Sequence, residues 1–136
     1  MANDTLPSFP YGAVYFRKSN PPRSDWAQDY ETASEDGMNT FRHWFLWSAI
    51  KRAPGEFDWE DYDRQLDLAA ENGIKTVIAE MMVATPEWAY HEYDHARFET
   101  RDGNRVEPHM SGSCIVGGFP GLCLDNEDYR EVAERF

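Results

Sequence analysis

Residues 71–88, ENGIKTVIAEMMVATPEW, decide the fold. Gly73 follows a run of helix-forming residues and suits the position just past a helix C-terminus, because glycine reaches positive φ without a Cβ penalty. Residues 74–83 are then almost continuously apolar, the pattern of a strand covered on both faces rather than an alternating surface strand. Thr85-Pro86 ends it. The same device occurs earlier. Glu35-Asp36-Gly37-Met38-Asn39-Thr40-Phe41 matches Glu71-Asn72-Gly73-Ile74-Lys75-Thr76-Val77 in register. Helix, glycine and buried strand, twice over, predict successive βα units and a parallel sheet. The repeat, a little over about 30 residues, suits a strand with its crossover helix.

Working outward, residues 11–16 (YGAVYF) form the first strand and Asn20-Pro21-Pro22 a loop. Ser24 or Asp25 caps a helix, with Asp25 and Gln28 spaced for a capping box. Trp26, Tyr30 and Ala33 make its buried stripe. Residues 38–47 are the second strand and its exit, and residues 48–57 a loop turning at Pro54-Gly55. Asp58 caps the next helix, whose expected core face is Trp59, Tyr62, Leu66 and Ala69. Glu60, Asp61, Asp63, Arg64 and Asp67 then face water. Residues 84–124 form a long third βα loop, with a short helix at 86–93 and turns at 101–104 and 117–121. Asn126 caps a last helix with Tyr129, Val132, Ala133 and Phe136 on one face. The expected architecture is α/β: a partial (β/α)8 TIM barrel of three βα units, one domain over residues 1–136. A closed barrel needs about 200 residues or more, so the chain is expected to be the front of a longer architecture, an N-terminal fragment that stops within a helix at Phe136.

The chain carries 25 acidic residues against 13 Lys plus Arg, a formal net charge of -12. Nucleic acid and anionic membranes demand a basic face and are excluded as partners. A lysine-poor, acid-rich surface points to a salt-adapted host. No basic and apolar leader precedes residue 10 and no run reaches membrane-spanning length, so a cytoplasmic location is expected.

Several constellations invite chemistry. His91-Glu92-Tyr93-Asp94-His95 has the letters of the HExxH zinc peptidase motif, which needs both histidines on one helix face and the glutamate on a zinc-bound water. The acidic Asp94 inside it and a short surface helix favour ordinary solvated residues. Cys114, Cys123 and His109 could share a metal, although two thiols leave a tetrahedral site incomplete. Arg42 interrupts an apolar strand, where a guanidinium must be paired; it reads either as a ligand contact or as an ion pair with Glu80. Glu80, near the end of the third strand, is a candidate acid, but glycoside hydrolysis needs two carboxylates. Trp44, Trp47, Trp88 and Tyr90 could stack on a sugar or simply fill a core.

The ordered set 11–16, Asp25-Trp26, Gly37 to Arg42, Trp47, Pro54-Gly55-Glu56-Phe57-Asp58-Trp59, Gly73 to Ile78, Thr85-Pro86-Glu87-Trp88 and Cys123-Leu124-Asp125-Asn126 with Tyr129-Arg130 resembles the start of glycoside hydrolase family 42. The resemblance spans nearly the whole chain. It implies a retaining glycosidase on a TIM barrel that hydrolyses terminal β-galactosides, with the parent enzyme a homo-oligomer. It also implies that the two catalytic glutamates stand at strands four and seven, beyond this stretch, so the fragment alone is inactive. Arg42, Trp47 and Trp88 become the substrate-binding residues. Cys123 matches a cysteine that ligates a structural zinc in some members; no other cofactor is implied. Phe119-Pro120-Gly121-Leu122 departs from the family, which has an arginine-rich run there. A non-catalytic carbohydrate-binding protein and a zinc metallopeptidase using residues 91–95 are the competing readings.

Overall fold

The computed structural model describes residues 9–18, 20–111 and 114–136; side chains of residues 110–118 are not described. Strands β1 (Gly12–Arg17), β2 (Thr40–Leu46) and β3 (Lys75–Met81) form one parallel sheet in that order. Helix α1 (Trp26–Glu35) connects the first pair and α3 (Glu60–Glu71) the second, after the single turn of α2 (Trp47–Ile50). Beyond β3 come α4 (Glu87–Glu92), a 3-10 turn (Asp94–Ala96), the antiparallel pair β4 (His109–Ser111) and β5 (Cys114–Phe119), and α5 (Glu127–Ala133).

The repeated glycine motif does the same job twice. At Gly37, φ is +80, with Gly37 N–H donating to Ser34 O and Met38 N–H to Ala33 O. At Gly73, φ is +67, with Gly73 N–H on Ala70 O and Ile74 N–H on Ala69 O. Both are Schellman closures, which satisfy the last carbonyls of a helix and redirect the chain into a strand. The residue after each glycine, Met38 or Ile74, turns into the same core.

That core lies between the sheet and the two crossover helices. Phe41, His43 and Phe45 alternate inward along β2 and meet Trp26, Tyr30 and Ala33 of α1 and Tyr62, Leu68 and Ala69 of α3. The expected α1 stripe is the observed one. On α3 the face is rotated: Gln65 and Leu68 are buried, while Leu66 and Trp59 are exposed. Gln65 goes inward because Tyr30 Oη donates to its Oε1 at 2.9 Å and its backbone O at 3.1 Å, a polar contact that the apolar pattern cannot register. The capping box at Asp25 does not form, and Gln28 bonds Thr32 instead. Asp58 accepts from Glu60 N–H at 3.2 Å, one residue before the α3 cap position.

Two further corrections concern strands. β3 was expected to be covered on both faces; Ala79 is buried, but Val77 is 46% and Ile78 59% exposed. The core beneath β1 and β2 does not extend to Ile78, and no strand pairs with the outer edge of β3 among the described residues. Gly117-Gly118 lies within β5 rather than in a turn, and the chain turns at Gly121, where φ is +89.

Candidate functional site

In parallel sheets with helical crossovers, ligands gather at the carboxyl ends of the strands. Here α2 starts at Trp47 directly after β2, and residues 82–86 leave β3 beside it. Ser48 N–H donates to Ala84 O at 2.9 Å and ties the two exits together. Leu46, Ala49 and Ala84 fill the space between them.

Trp47 is fully buried, edge-on to Trp88 at 6.2 Å between ring centroids and packed on Tyr129 and Phe136. Trp88 is half-buried, and its Nε1 donates to the backbone O of Lys51 at 2.9 Å. Lys51, only 8% exposed, lays its Nζ 5.6 Å from the Trp88 ring and 5.4 Å from that of Phe57. In the sequence, Lys51 is marked only by its place directly after the apolar run 44–50, which holds a single polar residue, Ser48.

The third loop is fastened to this rim. Tyr129 Oη and Thr85 Oγ1 are 2.8 Å apart, and Gly121 N–H donates to Tyr90 Oη at 2.9 Å. Burial pushes the Tyr129 phenol up to about 12, so it acts as a neutral hydrogen-bonding group at any ordinary pH. Asn126 Oδ1 caps α5 by accepting from Tyr129 N–H at 3.0 Å, as its sequence position indicated. Further out, Arg97 and Arg105 clasp Asp94 at 2.5 and 2.7 Å, and Arg97 also reaches Glu107 at 2.7 Å. The hydrogen bond from Arg97, then that from Arg105, holds the Asp94 carboxyl below its usual range.

Trp47 and Trp88 are therefore brought together, whereas Arg42 stands apart. It is the third residue of β2, in the N-terminal half, roughly 13 Å below Leu46 at about 3.3 Å per residue. It is exposed rather than buried and lines a hollow of about 310 Å³ with Pro10, Gly12, Val14 and Thr40. Its register neighbours are Val14 and Val77, while Glu80 is the neighbour of Phe45. Residues one apart in parity point to opposite faces, so Arg42 and Glu80 cannot pair. Glu80 is exposed on the Phe45 side, away from the row that holds Arg42.

The zinc peptidase arrangement is not formed. Helix α4 ends at Glu92, so His91 and His95 lie on different elements; His91 faces Glu87 at 3.9 Å and His95 faces Asp128 at 3.5 Å. Cys123, half-buried, lines a hollow of about 270 Å³ with Met82, Val83, Phe98 and Leu122. No group of three His, Cys, Asp or Glu residues is placed to hold a metal among the described residues. Cys123 is a free cysteine with no such group around it among the described residues; the Cys114 side chain falls outside them.

The model of glycoside hydrolase family 42, beta-galactosidase, matches residues 15–136. Beta-galactosidase BgaA of a Thermus species is 27% identical over 115 residues, 84% of this chain and 17% of that protein. Beta-galactosidase LacZ of Heyndrickxia coagulans is 27% identical over 140 residues, 94% of this chain and 19% of that protein. The structure of a polyextremophilic beta-galactosidase from the Antarctic haloarchaeon Halorubrum lacusprofundi superposes with a TM-score of 0.79 at 26% identity, over 93% of this chain and 18% of that one. The chain thus spans less than a fifth of the length of these relatives.

Proposed function

Because the chain belongs to glycoside hydrolase family 42, we propose that it forms the first three βα units of a (β/α)8 barrel whose whole acts as a retaining β-galactosidase on terminal β-galactosides. The observation that carries the reading is the family match over residues 15–136 on a parallel β1-β2-β3 sheet with aromatic side chains at its carboxyl rim. Trp88, half-buried, offers its open ring surface to a sugar, and Trp47 packs edge-on against it. Arg42 lies on the sheet face turned away from α1 and α3, the side that a closed barrel encloses.

A retaining mechanism needs two carboxyl groups about 5–5.5 Å apart, one protonating the leaving oxygen and the other attacking the anomeric carbon. Glu80, on the helix-side face of the sheet, fits neither role. The pair comes instead from later strands, and residues 1–136 alone are inactive. A structural zinc, if bound, takes Cys123 as one thiolate and draws its other ligands from beyond this stretch. We further propose that the parent enzyme is a cytoplasmic homo-oligomer.

The test is hydrolysis of a nitrophenyl β-galactoside by two proteins: the purified chain, and the chain fused to the remaining strands of a family member. We expect turnover only from the fusion. Clear turnover by the chain alone, or none by a folded fusion, overturns the proposal.

A further inference from the structure

We propose that Lys51 is a recessed cation that receives a negatively charged substituent of the sugar bound against Trp88, so that the preferred galactoside carries a carboxylate or sulfate. The inference rests on the reading of Trp88 as a sugar platform.

Three observations carry it. Lys51 is more than nine-tenths buried, yet among the described residues its ammonium makes no hydrogen bond and has no carboxylate within 4 Å. This is not for want of acids, since the chain has 25. The neighbouring Arg52 takes Asp58, Lys18 takes Asp61, and Arg23 takes Glu60. An ammonium whose stem is withdrawn from water still has three donors to satisfy, and ring faces compensate only part of the hydration it loses.

The second observation is placement. Lys51 closes α2, the turn that leaves β2 at its carboxyl end, and its side chain lies between Trp88 and Phe57. Its own carbonyl holds the Trp88 indole N–H, so charge and platform are fixed to one another.

The third is access. Among the described residues, Trp47 Nε1 and Ser48 Oγ, on the same turn, are sealed without a partner, whereas Lys51 Nζ is not among the sealed polar atoms. The ammonium is the donor that an incoming oxyanion can reach. A carboxylate or sulfate ester there would form a charge-assisted hydrogen bond in a partly desolvated setting, the strong kind.

The experiment is a tryptophan-fluorescence titration of the chain with galactose, galacturonate and galactose 6-sulfate, and with inorganic sulfate alone, on the native protein and on Lys51→Met and Lys51→Arg. Near-UV circular dichroism confirms that each variant keeps its aromatic packing. We expect at least one acidic sugar to bind about tenfold tighter than galactose, the preference to vanish in Lys51→Met, and Lys51→Arg to retain most of it. Galactose binding without preference for either acidic sugar, or a preference that survives Lys51→Met, overturns the inference and leaves the sugar platform standing. A response to sulfate that Lys51→Met removes, with no response to any sugar, supports the cation and overturns the platform. No response to any probe overturns both.

Discussion

Acid should unfold this chain through one buried imidazole. His43 is fully buried between β2, α1 and α3, with Tyr15, Phe16 and Phe41 around its ring at 6.2–6.4 Å between centroids. Its Nε2 lies 3.2 Å from Tyr30 Oη. That hydroxyl donates to Gln65, so it accepts from His43, and the proton sits on Nε2. Nδ1 is sealed with no partner among the described residues, so a second proton there would be a buried, unmatched donor. Burial accordingly lowers the His43 pKa to about 4 from its ordinary 6.5. The unfolded chain takes up a proton at His43 below 6.5 while the folded chain refuses it until about 4. Stability is therefore full above 6.5 and falls as pH drops through that window. At 1.36 kcal/mol per unit, the loss reaches about 2 kcal/mol at pH 5 and about 3 kcal/mol at pH 4. Urea unfolding at steps from pH 7 to pH 4, on the native chain and on His43→Gln, measures it. The other histidines and the carboxylates are common to both proteins, so the difference in slope belongs to His43. Equal slopes between pH 6.5 and pH 5 would refute the reasoning.

Four further outcomes are expected. Gly12→Ala places a Cβ 1.6 Å from Thr40 O, so β1 and β2 must separate; we expect a loss of about 3 kcal/mol or no soluble protein, read by denaturant unfolding. Asn126→Ala removes the α5 cap and costs about 1 kcal/mol in the same assay, whereas Asn126→Asp costs much less. Among the described residues the outer edge of β3 is unpaired, and with the exposed Ile78 beside it this predicts that the chain self-associates; Ile78→Lys should shift the sedimentation profile toward monomer, and an unchanged profile would show that this surface does not drive association. A surface with a net charge of -12 predicts that the melting temperature climbs from dilute buffer to molar salt, and a flat series would remove the salt-adaptation idea.

What the sequence by itself determined is the local grammar and the family pattern. Gly37 and Gly73 announce helix ends because only glycine is at ease at those dihedrals, and the residues after them dive into the core in the same way. The α1 stripe and the Asn126 cap follow from spacing and side-chain chemistry within a few residues. Tertiary structure decided everything that depends on parity and on which neighbour arrives. Register put Arg42 and Glu80 on opposite faces, a distinction that a strand boundary uncertain by one residue reverses. A hydroxyl from α1 drew Gln65 into the core, although the apolar pattern had turned that helix to a different face. The Trp88 ring of α4 closed over Lys51 from 37 residues further along the chain, a contact that no local pattern encodes.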